Sequence, residues 1–189
     1  MPQIARQAAW ELLNEYTKSD SLIKHALAVE ASMRWYARHF REDEELWGFV
    51  GLIHDFDYER WPNAPDHPDQ GAAILRERGY PEEIIRAVRS HAEYTGLSRD
   101  SLLEKTLFSV DELTGFITAV ALVRPTKSIM DVEPRSVRKK MKDKAFAAAV
   151  SRDDIRRGAD ELGIDLDEHI GNVIAAMQSV APALGLAGG

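Results

Sequence analysis

The chain has 189 residues, of which 44% are hydrophobic and 29% are charged, which suits one well-buried domain. Its net charge of -7 argues against nucleic acid as the main partner, and the absence of cysteine excludes disulfides and thiolate metal sites. No apolar run approaches the roughly 18 residues of a membrane span, and the opening Met-Pro-Gln-Ile-Ala-Arg lacks the layout of a signal peptide. We therefore expect a cytoplasmic protein with no membrane partner.

Hydrophobic residues recur with the 3.6-residue period of helices through most of the chain. In the first such segment, Ile4, Ala8, Leu12 and Tyr16 share one face. Together with capping residues and prolines, the pattern predicts helices at about 4–16, 20–39, 43–54, 68–79, 81–91 and 101–123. Residues 55–66 contain two prolines and an asparagine, which predicts a loop.

The last third of the chain has a different character. Residues 127–144 are rich in lysine and arginine, a pattern typical of a solvated face. Two further helical segments are predicted at 153–162 and at about 165–183. The Ala/Gly-rich C-terminus after them is expected to fray.

These patterns predict an all-α fold. No segment alternates apolar and polar residues as a half-buried strand does, and no internal repeat is present. We expect a compact helical bundle that forms a single domain over residues 1–189. Its metal-binding core would cover about 20–125, and a C-terminal helical extension would cover about 126–185.

The adjacent pair His54-Asp55 ends the apolar run 46–53. Burial of either side chain without a partner is costly, but coordination of a divalent cation would offset that cost. Six side chains that can bind a metal lie on or beside the predicted helices: His25, His54, Asp55, His67, His91 and Asp111. His67 and His91 are predicted to face a second cation beside the first, and the two oxygens of Asp55 would bridge the two ions.

The order His…His-Asp…Asp resembles the HD superfamily of metal-dependent phosphohydrolases. His25, His54, Asp55 and Asp111 match its four core ligands in order. His67, in Asp-His-Pro-Asp-Gln-Gly-Ala, and His91, in Arg-Ser-His-Ala-Glu, resemble the two extra histidines of its binuclear members. The segment 109–125 resembles small stand-alone proteins of the HDIG type, although Phe56-Asp57 follows the pair where many relatives have Ile-Gly.

The resemblance implies hydrolysis of a small phosphate ester or nucleotide by a metal-activated water, with Asp55 in a catalytic role. It also implies two divalent metal ions, which the nitrogen and oxygen ligands would select from Mn, Fe, Zn, Co or Mg. Cationic side chains should hold the phosphate, and we expect Arg124 and Lys127, just past the Asp111 helix, to do so, with Lys24 a weaker candidate.

Two other functions fit the same residues. One is a di-iron oxygenase of the HD type, because its protein ligands are similar. The other is a non-catalytic regulatory or binding module that keeps the metal for structure or ligand sensing. Outside the six residues, His39 and His169 are expected to lie away from the site. Asp57 and Glu59 lie near the His54-Asp55 pair, so one of them could support a ligand or act as general acid, but we expect both to be solvated loop acids.

Overall fold

The computed structural model describes residues 2–188, in which ten α-helices form a bundle. Their bounds are α1 Arg6–Tyr16, α2 Asp20–Phe40, α3 Glu44–Ile53, α4 Asp66–Glu77, α5 Glu82–Ser90, α6 Leu102–Leu122, α7 Pro134–Met141, α8 Arg152–Leu162, α9 Leu166–Gln178 and α10 Ala181–Leu184. Short 3-10 helices lie at Glu93–Thr95 and Ile129–Asp131, and no strand occurs within the described residues. The predicted all-α class is therefore confirmed.

The helix boundaries follow from local capping chemistry. The Asp43 side chain accepts hydrogen bonds from the backbone N–H groups of Glu45 and Leu46, which starts α3. Ser101 and Glu104 form a reciprocal capping box that starts α6. Both α2 and α6 have 21 residues. At 1.5 Å per residue, each extends about 30 Å, which is long enough to cross the whole domain.

Helix α3 lies in the interior because it is apolar on every side. Its residues from Trp47 to Ile53 are all buried. It packs on α1 and α2, while α6 packs on α2, α5, α8 and α9. One hydrophobic cluster joins residues from the N-terminal and C-terminal helices, including Met33, Phe49, Phe116 and Ile170.

Three local predictions differ from the structure. The basic segment contains α7, whose Val137 and Met141 are buried while Arg135 and Lys139 remain exposed. The last predicted helix is divided, since α9 ends at Gln178 and α10 follows it. The C-terminus does not fray through residue 188, because the Leu186 carbonyl accepts from the Ile129 N–H and the Leu186 side chain is buried.

No helix within residues 2–188 combines the length and the hydropathy that crossing a lipid bilayer requires.

Candidate metal centre

The structure brings all six predicted ligands together at the centre of the bundle. They form two groups that share Asp55, and within each group the ligand atoms lie within 4.8 Å of one another. The first group is His25, His54, Asp55 and Asp111, and the second is Asp55, His67 and His91. They come from five helices or helix ends, so the ligands converge from several directions.

The two carboxylate oxygens of Asp55 face different groups. Its Oδ2 lies 3.5 Å from His54 Nε2 and 3.8 Å from His25 Nε2. Its Oδ1 lies 3.2 Å from the Nε2 atoms of both His67 and His91. In the first group, His25 Nε2 is 3.1 Å from Asp111 Oδ1 and 3.2 Å from His54 Nε2. Asp55 therefore occupies the bridging position between two adjacent ligand sets.

The opposite ring nitrogens hold three of the histidines in a ligating orientation. His54 Nδ1 donates to the Gly51 carbonyl at 2.8 Å, and His91 Nδ1 donates to the Val88 carbonyl. His67 Nδ1 donates to Asp57 Oδ1 at 2.8 Å. A neutral imidazole that carries its proton on Nδ1 has a lone pair on Nε2, which is the atom a metal needs.

This donor set fits a divalent cation. The Nε2 lone pairs and carboxylate oxygens face each other, so they repel unless a cation or protons lie among them. Asp55 Oδ1 is buried and has no hydrogen-bond partner among residues 2–188. An orphaned carboxylate oxygen costs free energy unless something binds it, and a metal ion would do so.

Without a cation, the site can balance its charge only by holding protons. Burial opposes the charged form of His67, but the carboxylates of Asp55 and Asp57 raise the pKa of its imidazole to about 10. Burial also opposes the charged form of His54, and the Asp55 carboxylate raises its pKa above the ordinary value. Burial acts against ionisation of Asp55, yet the nearby histidines hold its pKa well below the usual range. Metal binding would therefore displace protons from the histidines.

The local sequence positions two of the candidate ligands, His54 and His67. The apolar run of α3 buries the helix up to Ile53, so His54 at its end enters the interior and is itself fully buried. Pro68 disfavours helical geometry in the residue before it. His67 accordingly has φ -80° and ψ 134°, and the regular part of α4 begins after it.

Asp57 has a role that the sequence interpretation ranked below a solvated loop acid, and for this residue the preferred prediction is wrong. The carboxylate is fully buried. Its Oδ1 accepts from His67, and its Oδ2 accepts from the Gly71 N–H at 2.8 Å. A Cβ at Gly71 would lie 2.8 Å from Asp57 Cγ, so only glycine fits there. The signal in the sequence was Asp57 itself, which stands where many HDIG-type relatives have glycine.

Glu59 is exposed, as predicted for a solvated loop acid, and its carboxylate also accepts hydrogen bonds from the backbone. Its Oε2 accepts from the backbone N–H groups of Lys18 and Ser19, at 2.6 Å and 3.0 Å. These contacts tie the turn after the His54-Asp55 pair to the start of α2, the helix that carries His25. Glu59 therefore helps to set the position of one ligand relative to the others.

The metal centre opens into a cavity of about 500 Å³, called here the metal cavity. Besides the ligands, its lining includes Tyr58, Glu93, Tyr94, Phe108, Glu112 and Asp154. No lysine or arginine among the described residues lines it. The cavity is therefore more acidic than the sequence interpretation supposed.

Arg124 and Lys127 are not part of this cavity. Both follow the C-terminal end of α6, and neither is a lining residue among residues 2–188. Arg124 comes 13 residues after Asp111. At the rise of an α-helix, this separation is about 20 Å. We therefore correct the prediction that these two side chains bind a phosphate at the metal centre.

The acidic side chains of the cavity fall into two kinds. Glu93 pairs with both nitrogens of the Arg157 fork, at 2.9 Å and 2.7 Å, and Asp154 pairs with Arg157 at 2.6 Å. Glu112 instead accepts one hydrogen bond, from the Ser151 N–H. Burial, together with the neighbouring Asp111 carboxylate, raises the pKa of Glu112 to about 7.

The other two histidines lie outside the ligand groups. His39 is exposed and stacks on Trp35. His169 is fully buried on α9, where Nδ1 accepts from the Tyr36 hydroxyl and Nε2 donates to the Ser109 carbonyl at 2.9 Å. His169 thus contacts the backbone of α6 only two residues before Asp111.

Comparison with known proteins agrees with the geometry. The family model of the HD domain matches residues 22–115, a span that begins before His25 and ends after Asp111. No solved structure matches the chain. HD domains form a metal-dependent, hydrolase-type family whose members bind divalent metals. Residues 22–115, with their two candidate ligand groups joined at Asp55, therefore form a domain of the HD superfamily.

Proposed function

We propose that the protein is a metal-dependent phosphohydrolase that binds two divalent cations and acts on a small phosphate ester or nucleotide. The observation that carries this proposal is the position of Asp55, whose two oxygens face two separate ligand groups. His25, His54, Asp55 and Asp111 would hold one cation, and Asp55, His67 and His91 the other.

Bound divalent cations would supply a nucleophilic water near neutral pH and neutralise the charge of the phosphoryl group. The chain itself orients the ligands, through the Nδ1 hydrogen bonds to the Gly51 and Val88 carbonyls and to Asp57. The Tyr94 hydroxyl donates to the His67 carbonyl and so ties the mouth of the metal cavity to a ligand residue. Since no lysine or arginine lines this cavity, the phosphate charge would be met mainly by the cations.

The proposal is tested by loading the purified protein with Mn²⁺ and measuring release of inorganic phosphate from a panel of phosphate esters and nucleotides. Asp55→Ala removes the residue shared by both groups, and His54→Ala removes a ligand of the first group, so each should lose turnover by at least about a thousandfold. Asp66→Asn is the matched control, because Asp66 is exposed in the same part of the chain. Circular dichroism should show that all variants keep their helices.

Full turnover in both alanine variants would refute the proposal. Metal binding without turnover on the whole panel would instead support the non-catalytic module. The two readouts, metal content and phosphate release, separate these outcomes.

One observation favours a second candidate, the di-iron oxygenase. The metal cavity has no lysine or arginine among its described lining residues, and such cations usually recognise phosphate. Protein purified from iron-rich medium would then show a coupled di-iron signal by Mössbauer spectroscopy and would consume O₂ with its substrate. Turnover under argon with Mn²⁺ would exclude this chemistry.

A further inference from the structure

A second cavity, of about 370 Å³, lies beside the metal cavity and is called here the α2–α6 chamber. His25 and Gly115 line both cavities, so the two are adjacent at these residues. The other residues that line the chamber include Lys24, Thr118, Leu122, Leu184 and Leu186. The chamber therefore begins at a ligand of the first group and extends away from the metals.

The chamber follows one face of α6. Asp111, Gly115, Thr118 and Leu122 are spaced at i, i+4, i+7 and i+11, which places them in one stripe along the helix. At the rise of an α-helix, this stripe is about 16 Å long. Lys24 and His25 of α2 lie across from it, and residues 184–186 close the remaining side. A molecule that reaches the metals could thus extend along α6 as far as Leu122.

Gly115 lies where the two cavities meet. Glycine is among the least favourable residues inside a helix, so its presence in the middle of α6 calls for a reason. Close packing explains others: a Cβ at Gly51 would lie 2.9 Å from Met33, and one at Gly158 would lie 2.6 Å from Ser109. A Cβ at Gly115 would meet no atom of another element within 4 Å among residues 2–188. A side chain there would enter the junction of the two cavities.

We propose that the α2–α6 chamber binds the apolar alcohol part of the substrate, while its phosphate lies at the metal centre. This inference rests on the proposed phosphohydrolase function and specifies its substrate class as phosphate monoesters of alkyl or aryl alcohols. Leu122, Leu184 and Leu186 supply an apolar lining suited to such a group. Three of the chamber's polar lining residues are already engaged, since Lys24 pairs with Asp20 at 2.7 Å and Ser21 Oγ lies 2.9 Å from Ser19 Oγ, which leaves few partners for a sugar.

The lining of the metal cavity also favours binding of the alcohol part in the chamber. Among residues 2–188, this lining contains the carboxylates of Glu93, Glu112 and Asp154 but no lysine or arginine, so it lacks a cationic partner for a second anionic group on the substrate. The chamber has a more apolar lining and contains Leu122, which is 49% exposed. An exposed leucine at the end of a cavity gains free energy when an apolar ligand covers it.

The first experiment measures binding of methyl-, butyl-, hexyl- and decylphosphonate to the Mn²⁺-loaded protein by isothermal titration calorimetry. Phosphonates resist hydrolysis, so the result does not depend on turnover. Each methylene that enters the chamber should strengthen binding by about fourfold, and hexylphosphonate should bind at least about tenfold more tightly than methylphosphonate.

Two substitutions test whether the alkyl group of the ligand runs through the α2–α6 chamber. Gly115→Leu fills the junction, so it should remove the gain with chain length. Leu122→Asp places a charge at the far end of the stripe, which a hexyl group does not reach, so it should remove the further gain from hexyl- to decylphosphonate. Val123→Asp is the matched control, since Val123 is 59% exposed, adjacent to Leu122 and absent from the lining. It should retain the full dependence on chain length, and both Leu122→Asp and Val123→Asp should bind methylphosphonate as the unmodified protein does.

A separate experiment detects the chamber without any metal. Saturation-transfer NMR with 1-hexanol and the metal-free protein should show ligand signals that disappear in Leu122→Asp and persist in Val123→Asp. Hexanol binding without phosphonate binding would reject the proposed function and retain the chamber as an apolar site. Methylphosphonate binding with no gain for hexylphosphonate, and no hexanol signal, would overturn the chamber proposal and leave the phosphohydrolase proposal in place.

Discussion

Replacement of Asp57 by asparagine tests whether the buried carboxylate positions a metal ligand. In the structure, one oxygen accepts from His67 Nδ1 and the other from the Gly71 N–H, each at 2.8 Å. Asparagine keeps the shape but offers only one acceptor oxygen. If its amide NH₂ faces His67, that ring must carry its proton on Nε2, and it can no longer bind a metal through that atom. If it faces Gly71, a buried N–H loses its partner.

The expected magnitudes follow from these two contacts. Loss of a hydrogen bond that orients a metal-bound histidine costs about 10- to 100-fold in metal affinity. This factor corresponds to about 1.4–2.7 kcal/mol. An unsatisfied buried donor also lowers the free energy of unfolding of the metal-free protein by about 1–3 kcal/mol. The loss of metal affinity should appear only in the ligand group that contains His67.

Calorimetric titration with Mn²⁺ measures the number of ions and the affinity of each. In Asp57→Asn, we expect one ion to bind as before, at the group with His25, His54 and Asp111, and the second to bind 10- to 100-fold more weakly. Asp66→Asn is the control, since Asp66 is exposed and begins the same helix as His67. Two ions bound with unchanged affinity in Asp57→Asn would refute the positioning role. Equal weakening of both ions would show that the two groups are not separable in this way.

Three further predictions concern stability. Gly158→Ala should lower the free energy of unfolding by about 1–3 kcal/mol in urea titrations, because its Cβ would lie 2.6 Å from the Ser109 backbone; an unchanged midpoint would contradict the close packing of α6 and α8. Burial lowers the pKa of His169 from 6.5 to about 4, so the unfolded chain binds a proton that the folded chain does not. The free energy of unfolding should therefore fall by about 3 kcal/mol as the pH drops from 6.5 to 4, and His169→Gln should remove this part of the pH dependence. When the metal is present at a hundredfold its Kd, its removal with a chelator should lower the melting temperature by about 5–10 °C. Identical calorimetric scans with and without the chelator would contradict a metal site in the folded protein.

Much of the fold could be predicted because the information is local. The apolar period located α2, α3 and α6, and Ser101 and Asp43 marked two helix starts as capping residues do. The basic segment was harder, because α7 has only eight residues and its two buried side chains, Val137 and Met141, gave a weak period. The extent of the single domain stays a prediction.

The candidate site could likewise be predicted only in part. The six ligands could be named from residue type and order, since few other side chains bind divalent cations and the order matches the HD superfamily. The places of Arg124 and Lys127 were predicted wrongly, because nearness in sequence to the Asp111 helix does not give nearness to Asp111 itself. Asp57 looked like a loop acid because nothing in its neighbours indicates burial.

The helical class, the candidate ligand residues and the family could be predicted from the sequence alone, because periodicity and ligand chemistry are properties of short segments and residue types. Only the tertiary structure decided that the oxygens of Asp55 face two groups and that Asp57 orients His67. The packing of α2 against α6 also places Gly115 in the lining of two adjacent cavities. Each of these facts depends on the distance between side chains that are far apart in the chain, and that distance is set by how the helices pack.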